Sequence, residues 1–165
     1  VVLDDALAPL PVTEAVLGLA ANWRVGPASK PVSDRSYRAL SFTPEGVGLR
    51  PFSIGHVEQP WRTARSPGDL TVRWTRRSRA LAADSWTAPE VPLAEETEAY
   101  EVEILDGAAV KRTLATTTTS VTYTAAQQLA DWGALLGPGD TLDVRIHQLS
   151  ALVGRGAPKA VTLAF

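Results

Sequence analysis

A chain of 165 residues is long enough for one ordinary domain or two small ones, and 45% hydrophobic with 21% charged residues excludes wholesale disorder and collagen-like repetition. A formal charge of -2 and a pI near 5.7 argue against a protein whose main task is gripping nucleic acid or an anionic membrane surface. The absence of cysteine removes disulfide frameworks, thiol catalysis, iron–sulfur clusters and zinc ribbons, and leaves the compartment open.

The longest apolar stretch, residues 15–23, is interrupted by Gly18 and Asn22 and is far too short to span a bilayer, so membrane insertion is not expected. The chain starts at Val1, contains no methionine and shows no signal peptide; the expectation is a piece of a longer polypeptide, whose function belongs to the parent. Along the first third, Pro9, Pro11, Gly26, Pro27, Pro31, Pro44, Gly46, Gly48 and Pro51 predict short strands and loops rather than long helices. Residues 21–25 and 37–42 are the best strand candidates there, because aromatic and branched residues lie between turn signals. Residues 1–50 therefore read as a small β-rich segment. Residues 51–67, with Pro60 and Pro67 and no apolar periodicity, read as a linker or long connection.

From Gly68 the pattern sharpens. Leu70, Val72 and Trp74 alternate with Thr71, Arg73 and Thr75, the period-two signature of a half-buried strand. Tyr100, Val102 and Ile104 repeat it, and Asp106-Gly107 predicts a hairpin to a partner strand over 110–116, because glycine adopts the positive backbone angles of such a turn cheaply. Val121 and Tyr123 mark a further strand, followed over 124–132 by one or two helical turns capped by Thr124. After the reset at Gly137-Pro138-Gly139-Asp140, Leu142, Val144 and Ile146 make a clean strand. Val161, Leu163 and Phe165 make the last one, beyond a turn at residues 154–158. Six short strands at this spacing predict an all-β sandwich over residues 68–165.

Those strands, namely Leu70-Thr-Val-Arg-Trp-Thr, Glu98-Ala-Tyr-Glu-Val-Glu-Ile-Leu, Ser120-Val-Thr-Tyr, Leu142-Asp-Val-Arg-Ile and Gly154-Arg-Gly-Ala-Pro, resemble the successive strands of a fibronectin type III (Ig-like) domain. More narrowly, Glu95-Glu-Thr-Glu-Ala-Tyr-Glu-Val-Glu-Ile-Leu-Asp-Gly, Val121-Thr-Tyr-Thr-Ala-Ala-Gln-Gln-Leu-Ala-Asp and Gln148-Leu-Ser-Ala-Leu-Val-Gly-Arg-Gly-Ala-Pro resemble the C-terminal region of the large tail-tip (baseplate) hub protein of phage-like gene transfer agents. Upstream, Phe42-Thr-Pro-Glu-Gly-Val-Gly-Leu-Arg-Pro-Phe-Ser is similar to the segment preceding that domain in the same family. One departure stands out: many fibronectin type III domains carry a corner tyrosine where this chain has Leu142, so another tie is needed, and packing of Leu129 is the candidate. The resemblance implies a virion component at a siphovirus-type tail tip, made in the bacterial cytoplasm. It implies the other tail-tip subunits and the rest of the parent chain as partners. The family also has a TIM-barrel-like, glycosidase-related part, which this stretch does not match.

No constellation of catalytic residues is expected, nor a cofactor or a metal. His56 and His147 have no companion at metal-ligand spacing, and His147 reads as a solvated strand residue. Eight acidic residues and no Lys or Arg fall between Asp84 and Asp106. A glycosidase pair among Glu95, Glu96 and Glu98 would need two carboxylates facing each other across a cleft, and a contiguous acidic run provides neither that nor the spacing of a calcium loop. The Arg62, Arg65, Arg73, Arg76, Arg77 and Arg79 stretch, opposed only by Asp69, reads either as a docking surface for an acidic neighbour or anionic surface glycan, or as ordinary intramolecular pairing and solvation. On the outward face of the adjacent strands, Glu101 and Glu103 are placed to pair with Arg145. Trp74 belongs to the core and Trp132 staples the short helix, whereas Trp86 in a loop and Trp61 in the connection are candidates to stack on a sugar or a partner protein. Partner or glycan contacts are therefore sought at Trp86, Arg76, Arg77, Arg79 and Trp61. Two functions stand open: a noncatalytic structural module of a tail tip, and a carbohydrate- or receptor-binding adhesion module. A glycosidase-associated enzyme fragment is a distant third.

Overall fold

A computed structural model describes residues 13–59, 66–80 and 91–165, and the chain divides into two units, Val1–Gly48 and Leu49–Phe165. In the first, β1 (Ala21–Val25) pairs antiparallel with β2 (Arg38–Phe42) in the register Ala21↔Phe42 and Trp23↔Leu40. Cross-strand partners share a face, so Ala21, Trp23, Val25, Leu40 and Phe42 share one largely apolar side with Arg38, and Asn22, Arg24, Ala39 and Ser41 lie on the other. The long connection between the two strands is closed by Tyr37, whose hydroxyl donates to the carbonyls of Pro27 and Lys30. Gly26 admits that ring, since a Cβ there would meet the ring at 2.5 Å.

The second unit is a two-layer antiparallel sandwich. One sheet has the order β3 (Val57–Glu58), β4 (Leu70–Trp74), β7 (Ser120–Tyr123). The other has the order β10 (Lys159–Ala164), β8 (Thr141–Ser150), β5 (Tyr100–Asp106), β6 (Ala109–Thr116), with β9 (Gly154–Arg155) attached to β8. This division of strands, first, second and fifth against third, fourth, sixth and last, is that of a fibronectin type III-like sandwich, here preceded by the small β-rich segment. The alternation read from the sequence becomes the core: Leu70, Val72 and Trp74 from one sheet meet Tyr100, Val102, Ile104, Leu142, Val144, Ile146 and Leu163 from the other. Trp74 and Tyr100 meet edge to face with ring centroids 5.2 Å apart, and Trp74 is core as expected. The β5–β6 hairpin turns at Gly107, whose φ of 59° any Cβ would strain.

Two expectations are corrected. Residues 51–59, read as part of a linker or long connection, contain the first strand of the sandwich, β3, and pack on it: Gly55 N–H donates to Thr75 O, Thr75 N–H to His56 O, and Ile54 and Val57 are buried in the core. Ala157 N–H donates to Pro51 O, which ties the same segment to the loop before β10. An edge strand with two ladder residues leaves no period in the sequence, which is why the stretch reads as a connection. Further along, residues 60–65 are not described.

The second correction concerns the missing corner tyrosine. Helix α1 (Ala125–Trp132) starts as expected at Thr124, in a reciprocal box where Thr124 Oγ1 accepts from Gln127 N–H and Gln127 Oε1 accepts from Thr124 N–H. Leu129, however, is 49% exposed and ties nothing down. Its neighbour Gln128 is fully buried and does so with polar atoms: Nε2 donates to Gly68 O at 2.9 Å and Tyr123 O at 2.8 Å, and Oε1 accepts from Leu136 N–H at 3.1 Å. One amide thereby holds the start of β4, the end of β7 and the loop after the helix.

Candidate functional site

Charged side chains gather at three places on the sandwich. The first lies where β4 ends and the chain enters β5. Beyond the buried Trp74, Arg76 turns back along the edge: Nε donates to Val91 O at 2.6 Å and Nη1 to Glu98 Oε1 at 2.9 Å. Tyr100 donates its hydroxyl to the same Glu98 oxygen at 3.0 Å, and burial, then that hydrogen bond, pushes the Tyr100 phenol well above its ordinary pKa. Arg79 grips Glu95 with both carboxylate oxygens engaged, at 2.9 and 3.0 Å from Nη2. Glu96 accepts from Ala151 N–H at 3.2 Å. Its carboxyl is held below the usual range by its own backbone N–H first, and next among the lowering contacts by that of Ala151. Arg77 instead lies over the Phe52 ring, 5.4 Å from its centroid. Arg76 and Arg79 are thus engaged inside the domain, and Glu95, Glu96 and Glu98 point to three separate partners instead of facing one another. Trp86, Asp84 and Trp61 lie outside the described residues.

The second place is the outward face of the larger sheet. Glu103 lies opposite Arg145 in the β5–β8 register, and Arg145 Nε donates to Glu103 Oε2 at 2.6 Å, as the sequence suggested. The face is partly covered, however. Arg155 closes over it from β9, reaching Glu101 at 2.6 Å and Glu103 Oε1 at 2.8 Å, and Glu103 is left 3% exposed. Burial alone would raise the Glu103 pKa, but the hydrogen bonds and charges of Arg145 and then Arg155 outweigh it and hold the carboxyl below its ordinary value. Glu101 consequently pairs with Arg155 rather than Arg145. His147, read as solvated, is buried on this face: Nδ1 lies 3.1 Å from Gly156 O. A carbonyl only accepts, so Nδ1 carries the proton, and Nε2 sits 3.7 Å from Glu103 Oε2. His56 is exposed, just before β3 in the other sheet.

The third place joins the helix to both sheets. Arg112 on β6 makes a two-pronged pair with Asp131 at 2.6 and 2.7 Å, and Tyr123 donates to Asp131 Oδ2 at 2.7 Å. Asp131 is held below its ordinary pKa chiefly by the Arg112 hydrogen bond, and the Tyr123 phenol is raised by burial and by Asp131. Trp132 packs partly buried against the core with Lys111 Nζ 5.2 Å from its ring centroid, consistent with a staple for the helix. Sequence reasoning missed Arg112, Asp131, Gln128 and Arg155. Each finds its partner at least five, and as many as 60, residues away, and only Thr124-x-x-Gln127 carries a local signal.

Among the described residues no three His, Asp or Glu side chains come together as a metal-ion group, and no helix is long and apolar enough to cross a membrane. No family model matches the sequence, and no curated protein does. Among solved structures, the extracellular region of rat CD45, domains d3-d4, is similar over 99% of this chain and 72% of that one, with a TM-score of 0.46 and 11% identity. The Clostridium perfringens spore cortex lytic enzyme SleM is similar over 87% of this chain, with a TM-score of 0.42 and 12% identity, and the chain spans 38% of its length. The fibronectin type III-like fold itself is read from strand order and register.

Proposed function

We propose that this chain is a noncatalytic structural and interaction module of a phage-like tail tip, made in the bacterial cytoplasm and carried at the hub of a virion or phage-like particle. The assignment to a tail tip rests on the resemblance of residues 95–107, 121–131 and 148–158 to the gene transfer agent hub family. The observation that carries the noncatalytic reading is the disposition of the carboxylates. Glu95, Glu98, Glu101, Glu103 and Asp131 are each engaged by an arginine of the same sandwich. So engaged, these five carboxylates do not form a facing pair for acid–base work. On this reading the partners are the other tail-tip subunits and the remaining domains of a parent chain.

The test is immunogold electron microscopy of tail-like particles from the source cell, with antibody against residues 49–165. Label concentrated at the distal end of the tail is expected. Particles that carry no label while the protein is present in the lysate would overturn the assignment.

A further inference from the structure

A cleft of about 440 Å³ opens where β4 leaves the sandwich, walled by Trp74, Arg76, Val91, Glu98 and Thr118. Its size falls in the small-ligand range, about 300–1,000 Å³. We propose that it is a binding site for an uncharged sugar unit of a bacterial surface glycan. The inference rests on reading the chain as an interaction module and gives that module a ligand class.

Three features point to this chemistry. Charge comes first: among the described residues the one cation and the one anion of the wall, Arg76 and Glu98, are paired at 2.9 Å, so together they offer no net charge to attract an ion. Second, the pair keeps open hydrogen-bonding capacity. Both bonds to Glu98 use Oε1, and those of Arg76 use Nε and Nη1, so Oε2 and Nη2 make no hydrogen bond among the described residues. An acceptor and a donor on one wall suit a sugar hydroxyl, itself both donor and acceptor. Third, Trp74 is only 3% exposed and its indole Nε1–H, buried, has no hydrogen-bond partner among the described residues. A buried donor without an acceptor is costly, so this wall of the cleft is short of an acceptor. Thr118 brings to the rim a hydroxyl that donates to Ser120 O and whose oxygen can still accept, and Val91 an apolar patch for the C–H face of a ring.

The test uses the full chain, isotope-labelled with ¹⁵N, and follows the indole N–H resonance of Trp74, assigned by its contact to the Tyr100 ring. Titrants are glucose, galactose, rhamnose, N-acetylglucosamine and soluble envelope polysaccharide, with glutamate and lysine as charged controls. The expected result is a saturable shift of the Trp74 signal with at least one sugar and none with the controls. Glu98→Gln and Thr118→Val should each weaken that affinity about tenfold. The second variant leaves the Arg76–Glu98 pair intact, so it reports on the site even if the first perturbs folding. No Trp74 shift with any titrant would overturn the proposal, as would a sugar response unchanged in both variants or confined to other tryptophans. Sugar binding by a chain absent from tail particles would leave this site standing and remove the tail-tip reading; labelled tails with no sugar response would do the reverse.

Discussion

The two units each contain an antiparallel hairpin, yet they differ in what lies behind it. In the sandwich, β5 and β6 present Tyr100, Val102, Ile104 and Leu114 to a second sheet that buries all four. In the N-terminal unit, the described residues of β1 and β2 are far less buried: Val25, Leu40 and Phe42 are 53–57% exposed, and apart from Pro44 no described residue of that unit is buried. Strand pairing alone is marginal in water, and a hairpin becomes stable when a second layer removes its apolar face from solvent. The comparison teaches that the hydrogen-bond ladder sets geometry whereas the second layer sets stability.

The largest test of that difference is Trp74→Ala, expected to destabilise the sandwich by about 3–5 kcal/mol in denaturant unfolding, through lost burial and the cavity left behind. A loss below roughly 1 kcal/mol would remove β4 from the core. Gln128→Leu comes next, at about 1–3 kcal/mol, because it removes the three hydrogen bonds of a fully buried amide. A near-neutral result would show that water replaces the amide and that the corner needs no tie.

Glu103→Gln should cost about 1–2 kcal/mol at neutral pH, at the lower end for a buried pair because both arginine partners reach solvent. The folded Glu103 pKa lies below its reference value of 4.5, so its stabilising contribution is complete above that pH and disappears as pH falls through the folded value. The variant should therefore lose stability less steeply than the parent below pH 4.5, as measured by thermal unfolding across an acid series. Identical acid limbs would mean that Glu103 is not held by Arg145 and Arg155. The smallest effect belongs to the first unit: Leu40→Ser should leave unfolding of the sandwich within about 0.5 kcal/mol. A larger cost would mean that unfolding of the sandwich is linked to that of the hairpin.

What could be read in advance was local. The β4, β5 and β8 alternations, the Asp106-Gly107 turn and the Thr124 cap each depend on residues a few positions apart, so the all-β sandwich, most of its core and its short helix follow from the sequence alone. The polar clips depend on pairs such as Gln128 with Gly68, Arg112 with Asp131 and Arg155 with Glu103, which nothing in a linear pattern brings together. The first strand was hidden for a related reason, since Ile54 and Val57 are buried by the fold rather than marked by a period. His147 and Glu103 looked solvated because strand alternation reports only which face a side chain leaves from. Whether that face is then covered was decided by Arg155, arriving from β9 once the chain had closed on itself.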